Sequence, residues 1–106
     1  MTVTINVIGG VQVLVDGRPV KLRRQVQRVA AILVAAGPAG IEASALAEEL
    51  WLGNPPARWN PAVRNAVTSL RSEVGSDVVA TAGGRYSLQC EVENVDAWVF
   101  LEAAAS

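Results

Sequence analysis

The sequence of 106 residues predicts a small α+β domain that starts with an antiparallel sheet, continues with three helices and then forms a β-hairpin. Three observations lead to this fold class. Apolar and polar residues alternate over residues 3–8, which is typical of a half-buried strand. Three later segments repeat their apolar residues at helical spacing. A Gly83-Gly84 pair then separates two short strand patterns.

The sequence of the opening third of the chain predicts a set of short strands. A second alternating run covers residues 11–15 and is followed by Asp16-Gly17, a strong hairpin signal. Pro19 suits an edge strand, because proline has no N–H to donate to a neighbouring strand. These residues therefore predict a small antiparallel sheet.

Residues 23–36 and 43–52 predict the first two helices. Gly37-Pro38 ends the first, and Trp51 closes the second. The loop of residues 52–59, from Leu52 to Trp59, contains two consecutive prolines that exclude a helix interior. The predicted inward residues of these helices are Val26, Val29, Ala30, Leu33, Val34, Ala43, Leu46, Ala47 and Leu50.

Residues 60–75 predict the third helix, with Asn60 as N-cap, Pro61 as the first helical residue and Gly75 as the stop. Its apolar stripe consists of Val63, Ala66, Val67, Leu70 and Val74. The opposite side is small, polar and partly cationic, and it carries Arg64, Asn65, Thr68, Ser69, Arg71 and Ser72. Such a face fits a DNA major groove, but it is also typical of an ordinary amphipathic helix with a solvated outer side.

The end of the chain predicts a hairpin and a terminal helix. Residues 78–81 and 86–90 form the hairpin strands, and Cys90 is expected to face the core as a small hydrophobe. Residues 95–105 predict a helix that either leads into further chain or packs back on the domain. The predicted organisation is a domain of residues 1–92 and a helical segment of residues 93–106.

The composition narrows the possible functions. The chain has no histidine and one cysteine, which removes the commonest general base and excludes an internal disulfide. No residues converge as a nucleophile, phosphate loop or metal site, so we expect no enzyme activity, no cofactor and no metal. The absence of a signal peptide or membrane-spanning run, together with the single cysteine, predicts a cytoplasmic protein with no membrane partner.

The net charge is −1, but the charges are unevenly distributed. Residues 1–40 hold five cations against one acidic residue, and residues 55–90 hold four against two, whereas the other segments are acidic. This distribution is consistent with a basic interaction face. It is equally consistent with ordinary interspersed surface charge.

The order of sheet, two helices, loop, third helix and hairpin is the plan of a winged helix-turn-helix. In that plan the third helix enters the major groove and the hairpin wing rests on the adjacent DNA backbone.

Seven segments, in this order and spacing, resemble a known family: INVIGGVQVLVDGRPVKL, VQRVAAILVAAG, LAEELW, NPPARW, VTSLRSEVG, TAGGRYSL and VDAWVFLEAA. The chain resembles the DNA-binding domain of the actinobacterial antibiotic regulatory proteins, the SARP type, which is related to the OmpR/PhoB-type output domains of response regulators. The resemblance covers essentially the whole chain. It implies a four-stranded N-terminal sheet, three helices and a C-terminal hairpin.

The resemblance also implies a role as a transcriptional activator that binds direct repeats in promoters and contacts RNA polymerase through residues 52–59. By position, the base-reading residues would be Arg64, Asn65, Thr68, Ser69 and Ser72. Arg71 and, in the wing, Arg85 would reach phosphates. Arg58 would lie on the same cationic surface, with some of Arg23, Arg24 and Arg28.

The chain departs from the family at several positions. Family members usually carry a basic residue in place of Ser69 and of Ser72, and often one in place of Ala82. Each missing cation removes one contact to DNA. Pro61 and Glu73 are also unusual for the family, and Glu73 places a negative charge near the C-terminal end of the third helix.

Two hypotheses for the function are consistent with these residues. The first is a sequence-specific DNA-binding domain of a transcriptional regulator. The second is a degenerate winged helix used for protein–protein interaction or regulation without DNA binding. A continuous cationic surface would favour the first, whereas interruption by Glu73 and Asp77 would favour the second. Trp59 also separates them, because it either projects from the loop as an exposed indole or folds onto the third helix.

Overall fold

The computed structural model describes residues 2–8, 10–91 and 94–105, with side chains described up to Phe100. The fold is a mixed α+β domain with antiparallel sheets and four helices. The predicted boundary between residues 92 and 93 lies outside the described residues.

The first sheet is an antiparallel meander of β1 (Val3–Asn6), β2 (Gln12–Val15) and β3 (Arg18–Val20). Asp16 and Gly17 both have positive φ angles, 51° and 80°, as expected for the two central residues of a tight hairpin turn. The sheet has three described strands and not the four that the resemblance implied. Only three residues separate β3 from the first helix, which leaves no room for both a turn and a further antiparallel strand.

Helix α1 (Arg24–Ala36) comes next, and β4 (Ile41–Glu42) leads directly into α2 (Ala43–Leu50). The predicted inward face of α1 is confirmed, because all five of its residues are buried. In α2 the residues Leu46, Ala47 and Leu50 are buried, and Ala43 is half-buried. Periodicity alone therefore predicted which sides of these helices form the core.

Helix α3 (Trp59–Val74) begins one residue earlier than its predicted cap. The residue before the helix is Arg58, which makes no side-chain capping bond, so the prediction of Asn60 as N-cap is wrong. Pro61 is the third helical residue, where its missing N–H is one of those that have no partner inside a helix. Trp59 is half-buried against the core, and this packing stabilises the earlier start.

The other end and the buried stripe of α3 agree with the prediction. Val63, Ala66, Val67, Leu70 and Val74 are all buried. Gly75 ends the helix with a φ of 128°, and its N–H donates to the carbonyl oxygen of Arg71.

The second sheet has the order β4–β6–β5 and contains the hairpin of β5 (Val79–Ala82) and β6 (Arg85–Leu88). Gly83 and Gly84 both have positive φ angles, 59° and 77°, which suits a two-residue turn. The short β4 pairs Ile41 with Tyr86, so the hairpin is attached to the helical body through its inner strand.

The terminal helix α4 (Asp96–Ala105) packs back on the domain at its start. The Asp96 carboxylate accepts the N–H groups of Val7 at 2.8 Å and Ile8 at 2.9 Å. Trp98 is buried, and its indole N–H donates to the carbonyl oxygen of Val34 at 2.8 Å. Of the two predictions for this segment, packing back is therefore observed.

Candidate nucleic-acid interface

The outer face of α3 is exposed as predicted. Arg64, Asn65, Thr68, Ser69 and Ser72 are all exposed, whereas the opposite stripe is buried. The Ser69 hydroxyl donates to the carbonyl oxygen of Asn65 at 3.0 Å, a local bond that leaves its oxygen free to accept. The face therefore presents donors and acceptors of the kinds that read base edges.

Arg58 and Arg64 supply free positive charge at the N-terminal half of α3. Both are exposed, and within the described chain neither forms an ion pair or a side-chain hydrogen bond. Their guanidinium groups are consequently available to an anionic partner.

Arg71 lies at the C-terminal half of α3 and is half-buried. Its guanidinium donates twice to the Val79 carbonyl oxygen, from Nε at 3.1 Å and Nη2 at 2.9 Å, and once to Thr81 Oγ1 at 2.7 Å. Three of its five N–H groups are thus bonded within the protein. The predicted phosphate contact of Arg71 has only the Nη1 donors fully available.

Arg85 also has internal partners. It donates to the carbonyl oxygen of Gly40 at 3.0 Å and lies 3.7 Å from the carboxylate of Glu42. The two side chains of this ion pair are 46% and 67% exposed, so water screens their attraction and the pair is weak. The Arg85 side chain is therefore still partly exposed to solvent at the hairpin.

A groove of about 350 Å³ lies beside the C-terminal half of α3. Thr68, Ser69, Ser72 and Glu73 line one side, and Lys21, Arg23 and Val26 line the other. The groove brings two cations from the segment before α1 next to the two serines that replace basic residues in the resembled family.

Lys21 is a candidate site residue that the sequence patterns did not indicate. Leu22 is buried, and its neighbours Lys21 and Arg23 are exposed. Alternation around Leu22 predicts that these two side chains point outward together, but only the tertiary fold places them opposite α3.

Glu73 is exposed in the same groove, and Asp77 is exposed just beyond the end of α3. In the described part of the chain, neither carboxylate forms an ion pair within 4.0 Å. The cationic surface therefore contains a negative charge at the C-terminal half of α3.

The loop between α2 and α3 exposes an aliphatic side chain. Leu52 is 82% exposed and has a positive φ of 53°, and the following Gly53 N–H donates to the carbonyl oxygen of Glu48 at 2.7 Å. Trp59 is the first residue of α3 and packs against the core, so it is not the exposed indole of the first arrangement considered for it. The large hydrophobic side chain that this loop exposes is therefore Leu52 and not the tryptophan.

A second polar groove, of about 300 Å³, is lined by Thr2, Val3, Asp77, Val78, Gln89, Cys90, Glu91 and Asn94. Burial raises the pKa of the Cys90 thiol, which disfavours the nucleophilic thiolate. Cys90 is half-buried and packs against the core.

The described residues contain no group of three side chains suited to holding a metal ion.

No helix within the described ranges combines the length and the apolar character needed to cross a bilayer.

Comparison with protein-family models gives no match, and comparison with curated proteins gives none either. Among solved structures, the fold is similar to that of Mycobacterium tuberculosis EmbR in complex with a low-affinity phosphopeptide, with a TM-score of 0.80 and 24% sequence identity. The match covers 94% of this chain and 28% of the EmbR chain. The chain thus spans just over a quarter of the length of this structural relative, and at this identity the likeness concerns the fold.

Proposed function

We propose that this domain binds double-stranded DNA sequence-specifically in transcriptional regulation, as a winged helix-turn-helix of the SARP type. Helix α3 enters the major groove, and the β5–β6 hairpin serves as the wing on the adjacent backbone. The observation that carries this proposal is the exposed polar face of α3, which has exposed guanidinium groups at one half and the Lys21–Arg23 groove at the other.

The structural comparison supports the same class of function. The likeness to EmbR, a SARP-family regulator, supports a SARP-like fold for this chain. It agrees with the resemblance of the sequence segments to the SARP type. Fold alone does not determine function, so the weight of the proposal rests on the exposed face of α3.

The proposed division of roles follows the exposure of the side chains. Arg64, Asn65, Thr68, Ser69 and Ser72 contact base edges. Arg58 and Arg85 contact phosphates from the two ends of the surface. Each phosphate neutralised by a cation releases counterions, so binding weakens as salt concentration rises.

The accompanying partners also belong to the proposal. We expect side-by-side binding to promoter repeats, activation through RNA polymerase contacts made by residues 52–59, and action in the cytoplasm. The exposed side chain of Leu52 supports a protein contact at this loop. A partner that covers it would remove apolar surface from water, which is favourable.

A degenerate winged helix that binds a protein and not DNA is the second candidate. Two observations favour it, namely the exposed Leu52 and the negative charge of Glu73 within the surface.

Fluorescence anisotropy with a labelled mixed-sequence duplex, titrated from low to physiological salt, separates the two candidates. We expect micromolar or weaker binding that falls steeply with salt. Arg58→Ala, which removes a proposed phosphate contact, should lower the salt slope by about one unit. Arg18→Ala removes another exposed cation, at the start of β3, and serves as the charge-matched control. Absence of binding even at low salt would contradict the proposal and favour the protein partner.

A further inference from the structure

The three hydrogen bonds of Arg71 join α3 to the outer strand of the hairpin. The strand β5 is at an edge of its sheet, with β6 on one side only. The Val78 carbonyl oxygen accepts the Gln89 N–H of the paired chain segment at 2.7 Å. Successive carbonyls point to opposite sides of a strand, so the Val79 carbonyl faces the unpaired edge. The Arg71 guanidinium occupies that edge.

The geometry points to Arg71 as a positioning residue that sets the angle of the hairpin against α3. Nε and Nη2 donate to the same Val79 oxygen, and Nη2 also donates to Thr81 Oγ1. A planar guanidinium that holds two strand positions from one helix position restricts both the distance and the rotation between the two elements. This inference rests on the proposed function only for its effect on DNA binding.

Arg71 works together with the attachment on the inner side of the hairpin. There β4 pairs with β6, the Ala43 N–H donates to the Gly84 carbonyl oxygen at 2.9 Å, and Arg85 bonds to the Gly40 carbonyl oxygen. The hairpin is consequently held from both sides, by α3 at β5 and by the β4 segment at β6. In the DNA complex this arrangement presents the Gly83-Gly84 turn and Arg85 at a fixed offset from the base-reading face.

Arg64 offers an internal comparison for this role. It lies seven residues before Arg71, two turns away on nearly the same side of the helix. It is exposed, and no hydrogen bond or ion pair of its side chain occurs in the described part of the chain. The two arginines therefore have the same chemistry on the same helix and differ in whether the hairpin lies beside them.

Hydrogen exchange of the free protein tests the positioning role without DNA. We expect the amides of β5 and β6 to exchange about tenfold faster in Arg71→Ala and in Arg71→Lys, while the amides of α1 and α2 exchange as in the parent. Lysine keeps the charge but lacks the planar fork. Thr81→Val removes one acceptor at nearly constant shape and should give a smaller acceleration. Arg64→Ala is the control and should leave the hairpin unchanged.

Unchanged hairpin exchange in both Arg71 variants would overturn the inference. On DNA, a positioning role predicts that Arg71→Lys loses as much affinity as Arg71→Ala and that both keep the salt slope of the parent. Parental affinity in Arg71→Lys, with one unit of slope lost in Arg71→Ala, would instead assign Arg71 to a phosphate. If the parent binds no DNA, the proposed function fails, and the exchange measurement still decides the role of Arg71.

Discussion

The two halves of α3 use the same residue types for different purposes. In the first half, Arg64 extends into solvent with no internal partner among the described residues, whereas in the second half Arg71 is bonded to the hairpin. The difference arises from the chain segment after the helix. Gly75 ends α3, and the following strand β5 brings the Val79 carbonyl oxygen and the Thr81 hydroxyl within reach of Arg71.

Positive charge is therefore distributed unevenly along the surface that we propose for DNA. The second half of α3 carries Ser69 and Ser72 on its outer face and Glu73 beside them, and its own arginine is engaged. The cations nearest to that half come from Lys21 and Arg23, across the groove. The resemblance to the SARP type assigns these cations to α3, whereas in this chain the groove has its cations on the segment before α1.

The largest effect is expected from breaking the attachment of the hairpin at Gly40. Gly40 is buried with a φ of +82°, and an added Cβ would lie against Tyr86 O and 2.8 Å from Ser87 Cβ. Gly40→Ala should lower the free energy of unfolding by about 3 kcal/mol through backbone strain and steric overlap. Urea unfolding measures this change.

Gly17→Ala is the matched control for that substitution. Gly17 lies in the β2–β3 hairpin turn and has a similar φ of +80°, but an added Cβ would meet nothing within 4 Å. Its cost should be only the strain of the left-handed backbone, about 1 kcal/mol. Equal costs for the two substitutions would show that the close approach of Gly40 to β6 is not what holds the hairpin.

The next largest effect is expected on DNA binding, when the two cations that line the groove beside α3 are neutralised. Lys21→Gln and Arg23→Gln should each lower the salt slope of DNA binding by about one unit, and the double variant by about two, with at least about a tenfold loss of affinity. Both side chains are exposed, so unfolding free energies should change by less than about 0.5 kcal/mol. Fluorescence anisotropy provides the slopes, and Arg18→Gln is the control. Parental slopes in all variants would remove the groove from the DNA surface.

The smallest expected effect is a gain in DNA affinity from an added cation. Ser69→Arg restores a cation on the outer face of the second half of α3, where Ser69 is exposed. One added phosphate or guanine contact should raise affinity several-fold and increase the salt slope by about one unit. Gln12→Arg adds the same charge at an exposed position of β2 and should have little effect in the same assay. Equal gains from both variants would indicate attraction by net charge alone.

The sequence predicted the buried faces of the helices, because burial imposes a strict spacing on apolar residues. It placed the start of α3 two residues late, because the packing of Trp59 against the core outweighs the capping preference of Asn60. The engagement of Arg71 depends on a carbonyl oxygen of Val79 eight residues later, and the groove position of Lys21 depends on α3. Both are tertiary relations that no local pattern encodes.

Amide chemical-shift mapping of the 15N-labelled parent chain during titration with a mixed-sequence duplex tests the assignment of α3 to DNA most directly. We expect shifts at the exposed positions of α3, from Arg64 to Ser72, at Lys21 and Arg23, and at the Gly83-Gly84 turn. The amides of Leu52 and Gly53 should remain unchanged. Shifts confined to Leu52 and its neighbours, or no shifts along α3 at low salt, would contradict the assignment of this helix to DNA.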